Sequence, residues 1–425
     1  MALASMFERW KSIIAMLLVP LVVGCGDGLE SPIKNVTTGA AELVGDNFGM
    51  LQGKNVGLVT NHSAVVGDSL LIDVINNAPN VQLKALFSPE HGIRGQEDAG
   101  AIIDNSVDEQ TGIPIYSLYG ETRKPTAKML EDIDVLVFDM QDVGARFYTY
   151  IATMGYTMQA AAEQGIPYIV LDRPNPLGGN KVEGFVPEKD YETFNGLYPI
   201  PITHGMTIGE IAKMIKGEAF LQNLGDLNLT IKKVEGWKRD MLWPEMELDW
   251  IPPSPNIPDF ETALIYPGAC LVEATHMSEG RGTMDPFLQI GAPWANGKAI
   301  AEKLNAKNLP GLNFKPTKFT PKPIEGMDSS PKHEGKQLPG VRYQITNLDK
   351  VEPVAAGIHM LLAFYHSAPD SVKRNFFRAS RLNTLAGSEQ FYDMVKKGKS
   401  PEYIIQQWKH ETKAFRDLRK PYLLY

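Results

Sequence analysis

A glutamate in a Ser-Pro-Glu-His-Gly segment is the residue whose type and surroundings best suit acid–base chemistry. Glu90 lies between Pro89 and the His91–Gly92 pair, where no helical pattern calls for a capping residue. A loop glutamate beside a histidine is a candidate general acid or base. The alternative is a solvated surface glutamate paired with Arg94.

Polar residues also follow three apolar segments that we predict to be strands. They are Thr60-Asn61-His62, Asp139-Met140-Gln141-Asp142 and Asp172-Arg173-Pro174-Asn175. The carboxyl ends of parallel strands meet at one edge of a sheet, where ligands bind. Aspartates at strand ends also cap helices, and for Asp139 and Asp172 both interpretations stay open.

A second polar segment, Ser278-Glu279-Gly280-Arg281-Gly282-Thr283, lies far along the chain. Its two glycines allow the backbone to approach a ligand closely, while the guanidinium of Arg281 can bind an anion. The alternative is an ordinary glycine-rich turn.

The apolar pattern predicts the elements that must position these residues. Strands are predicted at Val56–Val59, Val81–Phe87, Ile113–Leu118, Val135–Phe138 and Tyr168–Leu171, and helices at Ser69–Asn77, Tyr150–Gln164 and from Thr207. Continuous apolar strands that alternate with helices are typical of a parallel sheet covered on both faces. We therefore predict an α/β protein with a Rossmann-like parallel-sheet domain over residues 36–245.

The remaining sequence predicts a proline-rich crossing segment followed by a smaller C-terminal α+β domain, together covering residues 246–425. Five prolines lie between Pro244 and Pro258, where they block regular sheet pairing. Helices are predicted at Val354–Tyr365 and Pro401–Leu418.

The first 24 residues have the features of a secretory signal peptide. Arg9 and Lys11 precede the apolar run Ile13–Val23, which is too short for a span of about 20 residues. Cys25 follows directly, and this arrangement resembles the lipobox of bacterial lipoproteins. We expect residues 1–24 to be removed, Cys25 to carry a lipid anchor and residues 25–35 to form a tether. The protein would then lie in the bacterial cell envelope, facing the periplasm or the exterior.

Composition and missing motifs exclude several classes of protein. The 425 residues include 42 Lys and Arg against 50 Asp and Glu, so a nucleic-acid partner is not expected. No G-x-G-x-x-G or G-x-x-x-x-G-K motif is present, and His and Cys show no metal-ligand spacing, so we predict no cofactor and no metal. A Gly-Asp-Ser-Leu tetrapeptide around Ser69 leaves a serine esterase as a less favoured alternative.

Five segments together resemble the exo-β-N-acetylmuramidase family of glycoside hydrolases, formerly catalogued as a domain of unknown function. They are Val59–Asn61, Phe87–Gly92, Phe138–Tyr150, Leu171–Pro176 and Ser278–Thr283. The resemblance extends from about Val36 to Tyr425. It implies a cleft between the two domains, a catalytic role for Glu90, and release of terminal N-acetylmuramic acid from peptidoglycan-derived muropeptides or disaccharides.

Glycoside hydrolysis normally needs one carboxylic acid and a second carboxylate. We predict that Glu90 is the acid; the second group is Asp142, Glu279 or the substrate's own 2-acetamido group. Predicted substrate-binding residues are Asn61, His91, Arg94, Arg146, Tyr148, Asn175 and Arg281. For the lactyl carboxylate of muramic acid, Arg281 is our first choice and Arg146 the second. A non-catalytic lipoprotein that captures muropeptides is the competing interpretation.

Overall fold

The computed structural model describes residues 35–90, 92–94, 105–120 and 122–425. The predicted signal peptide, Cys25, the tether up to residue 34 and His91 therefore lie outside the described residues. Within the described ranges, no helix combines the length and the hydropathy that a membrane span requires.

The strands and helices account for most of the predicted elements and add several. The strands are β1 Asn55–Thr60, β2 Val65–Val66, β3 Ser69–Leu70, β4 Gln82–Ser88, β5 Ser106–Val107, β6 Pro114–Ser117, β7 Val135–Asp139, β8 Tyr168–Leu171, β9 Leu229–Lys232, β10 Gln289–Gly291, β11 Leu312–Phe319 and β12 Leu338–Ile345. The helices are α1 Gly39–Gly45, α2 Leu71–Asn76, α3 Tyr150–Gln164, α4 Ile208–Gly217, α5 Phe260–Ala269, α6 Gly297–Asn305, α7 Pro353–Ser367, α8 Asp370–Lys373, α9 Ala379–Ala386, α10 Gln390–Lys396, α11 Pro401–Gln407 and α12 Lys409–Leu418.

The main sheet has the strand order of a Rossmann-like fold. In the part of the chain that the structure describes, seven strands are ordered β5-β6-β4-β1-β7-β8-β9, and all neighbours pair in parallel except β5 with β6. Every residue of β7 and β8 is buried, as expected for strands that helices cover on both faces. The predicted fold class is confirmed.

The C-terminal region contains a small antiparallel sheet, β10-β12-β11, and a pair of closely packed helices. Helices α5 and α7 cross at Gly268 and Gly357. A Cβ at Gly268 would lie 1.9 Å from the carbonyl oxygen of Pro353, so glycine is required for this approach. The helix predicted over Pro401–Leu418 is two helices, α11 and α12, which meet at Trp408. Residues 35–425 form one compact unit, and the domain boundary at 245/246 stays a prediction.

Arg146 is buried in the core instead of lying in an open cleft. Its guanidinium donates hydrogen bonds to the carbonyl oxygens of Phe185, Ile200 (3.0 Å) and Leu385 (2.7 Å). Leu385 belongs to α9, so this side chain joins the C-terminal helices to the loops that follow β8. Its contacts are structural, because both terminal nitrogens of the guanidinium donate to backbone carbonyls.

Replacing Arg146 by methionine should lower the free energy of unfolding by about 2–5 kcal/mol, because three carbonyl oxygens lose a charged donor. Urea denaturation measures this, with Arg374→Met, at an exposed arginine, as the matched control. Unchanged stability together with a selective loss of activity would instead make Arg146 a substrate-binding residue.

Candidate active site

Glu90 lies two residues after the end of β4 and lines a pocket whose other wall comes from the C-terminal region. We call this the inner pocket; it is lined by Glu90, Thr149, Asn256, Glu273, Arg281 and Arg381, among others. Glu90 therefore lies between the Rossmann-like part of the chain and the C-terminal region, and its catalytic role stays a prediction.

Two hydroxyl groups hold the half-buried carboxylate of Glu90. The hydroxyl of Thr149 donates to Oε2 at 3.2 Å, and the hydroxyl of Tyr119 also hydrogen-bonds to Glu90. Burial, and then the adjacent charge of Glu90, raise the pKa of Tyr119. Tyr119 therefore remains a protonated donor that fixes the direction of the carboxyl group.

Glu273 forms a paired ionic contact with two arginines inside the same pocket. Its Oε1 accepts from Arg281 Nη2 at 3.0 Å, and its Oε2 accepts from Arg381 Nη2 at 2.9 Å. Burial acts to raise the pKa of Glu273, but the two guanidinium groups outweigh burial and lower it to about 2. This carboxylate is therefore ionised at every pH at which a cell functions.

Glu279 lies in a neighbouring depression, which we call the outer pocket. This pocket shares Glu90, Glu273, Arg281 and Arg381 with the inner pocket and adds Glu279 and Lys332. Lys332 Nζ donates to Glu279 Oε2 at 2.8 Å, and Arg281 Nε lies 3.7 Å from Glu279 Oε1. Glu279 thus lines the outer pocket together with Glu90, but its carboxylate is ion-paired with two cations.

Amide and aromatic groups complete the inner pocket. Tyr148 and Asn195 line it, as does Asn256, whose Nδ2 donates to the carbonyl oxygen of Met327 at 2.7 Å. The Oδ1 atom of Asn256 is buried and has no hydrogen-bond partner among the described residues. Amides beside aromatic rings provide the directional polar groups and the apolar surface that small-molecule sites combine.

The polar residues that follow β1 and β8 form hydrogen bonds within the protein, and they line neither the inner nor the outer pocket. Asn61 Nδ2 donates to the hydroxyl of Tyr150 at 2.7 Å. Asn175 Nδ2 donates to the carbonyl oxygen of Met206 at 3.0 Å. Both side chains are buried, and their contacts hold loops in place.

Asp142 is buried and lines neither pocket. Its Oδ2 accepts from the backbone N–H of Gly144 at 2.7 Å and lies 3.6 Å from Nε2 of the buried His204. Its Oδ1 has no partner among the residues described. The expectation that neighbouring strand ends would bring Asp142 and Glu90 together in one pocket is therefore not met.

The two aspartates whose interpretation stayed open both have structural partners. Asp172 accepts from the Gly209 N–H at 2.7 Å and from the Thr207 hydroxyl at 2.8 Å, so it binds the start of α4. Both carboxylate oxygens of Asp139 accept from the Arg173 guanidinium, through Nε and Nη2. Capping and ion pairing explain their positions.

Arg94 and Ser69, which the sequence also singled out, both lie outside the two pockets. Arg94 forms a two-point contact with Asp108, through Nε and Nη2 at 3.0 Å each, and lines neither pocket. Ser69, in the Gly-Asp-Ser-Leu tetrapeptide, is exposed on the β2–β3 hairpin, away from the pocket of Glu90.

Sequence reasoning missed Glu273, Arg381 and Tyr119. Glu273 is the one charged residue in the otherwise apolar segment Cys270–Ala274, and such a residue is a sign of a buried, paired carboxylate. Arg381 lies in the amphipathic helix α9 and carries no comparable sign. Among the described residues, no group of three or more His, Cys, Asp or Glu side chains is arranged to hold a metal ion.

A half-buried glutamate, amides and arginines in a cleft of a Rossmann-like protein form a site of the kind that glycoside hydrolases use. Models of the N- and C-terminal domains of exo-beta-N-acetylmuramidase NamZ match residues 56–261 and 264–425. The chain therefore belongs to the exo-β-N-acetylmuramidase NamZ family, and the predicted family is confirmed.

Similar proteins agree with this assignment. Peptidoglycan beta-N-acetylmuramidase NamZ of Bacillus subtilis (strain 168) is 43% identical over 392 residues, which cover 92% of this chain and 91% of that protein. Two crystal structures of DUF1343 family proteins from Bacteroides fragilis NCTC 9343 superpose with TM-scores of 0.85 and 0.76, at 38% and 35% identity. Each match covers 92% of this chain and 99% of the other.

Proposed function

We propose that this protein removes terminal N-acetylmuramic acid from peptidoglycan-derived muropeptides or disaccharides in the pocket around Glu90. Family membership makes the chain a glycosidase, as the sequence predicted. The observation that carries the assignment of the site is the position of Glu90, which lines the inner pocket while Thr149 and Tyr119 hold its carboxyl group.

In this reaction Glu90 donates a proton to the glycosidic oxygen as the bond to the anomeric carbon breaks. The bond electrons leave with that oxygen, and the developing positive charge spreads over the sugar ring. Asn195 and Asn256 hold sugar hydroxyls or the acetamido group. A proton acceptor is needed later, when water attacks, and Glu90 in its ionised form takes that role.

We further propose that the substrate's own 2-acetamido group supplies the second group of the mechanism. Glu273 lies between two arginines and Glu279 between Lys332 and Arg281, so both carboxylates are engaged by cations. Asp142 lines neither pocket. The acetamido oxygen is carried by the substrate and lies close to the reacting centre, so it can attack without a protein nucleophile.

Replacing Glu90 by glutamine should lower kcat by roughly 10²–10⁴-fold and leave substrate binding nearly unchanged, because an amide of the same shape cannot deliver a proton. Steady-state kinetics and calorimetric binding measure the two effects. Glu131→Gln, at an exposed glutamate, is the matched control. Full activity in Glu90→Gln would remove Glu90 as the acid.

Progressive fluorination of the N-acetyl group should lower kcat stepwise, because fluorine withdraws electrons from the oxygen that attacks. The product should first form with retained configuration, which NMR of the fresh anomer detects. Rates that do not respond to fluorination, or an inverted first product, would assign the second role to a protein carboxylate.

A muropeptide-binding lipoprotein without turnover is the competing function. Release of free N-acetylmuramic acid by purified protein separates the two, since a binding protein would retain the intact ligand.

We also propose that Cys25 anchors the protein to a membrane of the bacterial cell envelope. The support is the sequence alone: basic residues, a short apolar run and a cysteine at the expected cleavage site. Such an anchor would hold the enzyme where peptidoglycan fragments are released.

Cys25→Ser should abolish incorporation of labelled fatty acid and move the protein out of the membrane fraction. Cys270→Ser is the matched control and should keep the label, because Cys270 is buried in the fold. A Cys25→Ser protein that still carries the label would contradict the proposed anchor.

A further inference from the structure

We propose that Arg381 binds the lactyl carboxylate of N-acetylmuramic acid and so sets the preference for muramic acid over glucosamine. Glu273 holds its guanidinium in place. The inference rests on the proposed function, because it concerns how that substrate is recognised. Arg381 takes the place of Arg281 and Arg146, the two arginines that the sequence predicted to bind the lactyl carboxylate.

The chemistry of the substrate restricts where this receptor lies. The lactyl group is carried by ring carbon C3, two carbons from the anomeric carbon C1, at which the bond breaks. Its receptor must therefore line the same pocket as the acid. Arg381 meets this condition, since it lines both the inner and the outer pocket together with Glu90.

The other two candidate arginines already form more contacts within the protein than Arg381 does. Arg146 is fully buried and donates to three carbonyl oxygens. Arg281 bonds to Glu273, lies 3.7 Å from Glu279, and has its guanidinium carbon 5.1 Å from the centre of the Phe287 ring. Two carboxylates and an aromatic ring therefore already surround the guanidinium of Arg281.

Arg381 is the more accessible of the two arginines that bind Glu273. Its side chain is 37% exposed, against 19% for Arg281. Within the described residues its guanidinium donates to Glu273 alone, through Nη2. A guanidinium has five N–H donors in a planar fork, so one contact with Glu273 is compatible with two-point binding of a second carboxylate.

Glu273 acts as a positioning residue and does not itself bind the substrate. Its second oxygen is bonded to Arg281, which fixes the carboxylate from the other side. An arginine held in this way loses less rotamer freedom when substrate binds.

The test compares two aryl N-acetylmuraminides, the free lactyl acid and its lactyl carboxamide, which has nearly the same shape and no charge. The wild-type protein should prefer the acid in kcat/KM by about 10²-fold, as expected for a charge-assisted two-point contact. Arg381→Ala should lower kcat/KM for the acid about 10²-fold more than for the carboxamide, so that the preference is lost. Arg381→Lys should recover part of it, and added guanidinium ion should restore part of the activity of Arg381→Ala towards the acid.

The matched control is Arg374→Ala, at an exposed arginine seven residues earlier that lines neither pocket. It removes the same charge and should keep the preference. Glu273→Gln should raise KM for the acid about 10-fold with little change in kcat, since it loosens Arg381 and leaves Glu90 in place. If Glu273→Gln instead slows turnover by roughly 100-fold or more at unchanged KM, Glu273 is a catalytic carboxylate and its positioning role is contradicted.

The outcomes separate this inference from the proposed function. If wild-type protein releases no N-acetylmuramic acid, the proposed function fails. If the wild type is active but shows no preference for the acid, or if Arg381→Ala keeps the preference, the function stands and the role of Arg381 is wrong. A thermal melt of each variant confirms that it is folded before its kinetics are compared.

Discussion

The parallel pairing of β1 with β4 and β7 is the constraint on which the site depends. The register places Val59 opposite Phe87 and Thr60 opposite Asp139, so all three strands end at the same edge of the sheet. The residues that follow β1 and β7 form contacts within the protein that stabilise that edge. The segment after β4 delivers Glu90 to the pocket. The same edge of the sheet therefore carries stabilising contacts after β1 and β7 and the proposed acid, Glu90, after β4.

The parts of the fold that depend on local pattern could be predicted, and those that depend on distant partners could not. Strands β7 and β8 and helix α3 were predicted almost to the residue, because burial on both faces requires continuous apolar segments. Strand β9 lies at the sheet edge and is only partly buried, so its apolar signal is weak. The break at Trp408 carries neither proline nor glycine, the usual helix breakers.

The same distinction applies to the site. Glu90 and Arg281 stand in distinctive short segments, and the structure places both in the inner pocket. Glu273 and Arg381 are 108 residues apart, and their contact exists only after α9 has packed against the segment Cys270–Ala274. Arg146 lies in a distinctive segment as well, yet burial gives it a structural role. A motif therefore identifies a residue with a defined environment but cannot say whether that environment is a cleft or a core.

The central claim is that the sugar is bound and cleaved beside Glu90, with Arg381 at its lactyl group. A crystal structure of the Glu90→Gln variant with an intact N-acetylmuramic acid disaccharide tests this most directly. The account predicts a glycosidic oxygen within hydrogen-bond distance of the side chain at position 90 and a lactyl carboxylate on Arg381. A disaccharide bound away from position 90, with its glycosidic oxygen out of reach of that side chain, would contradict it.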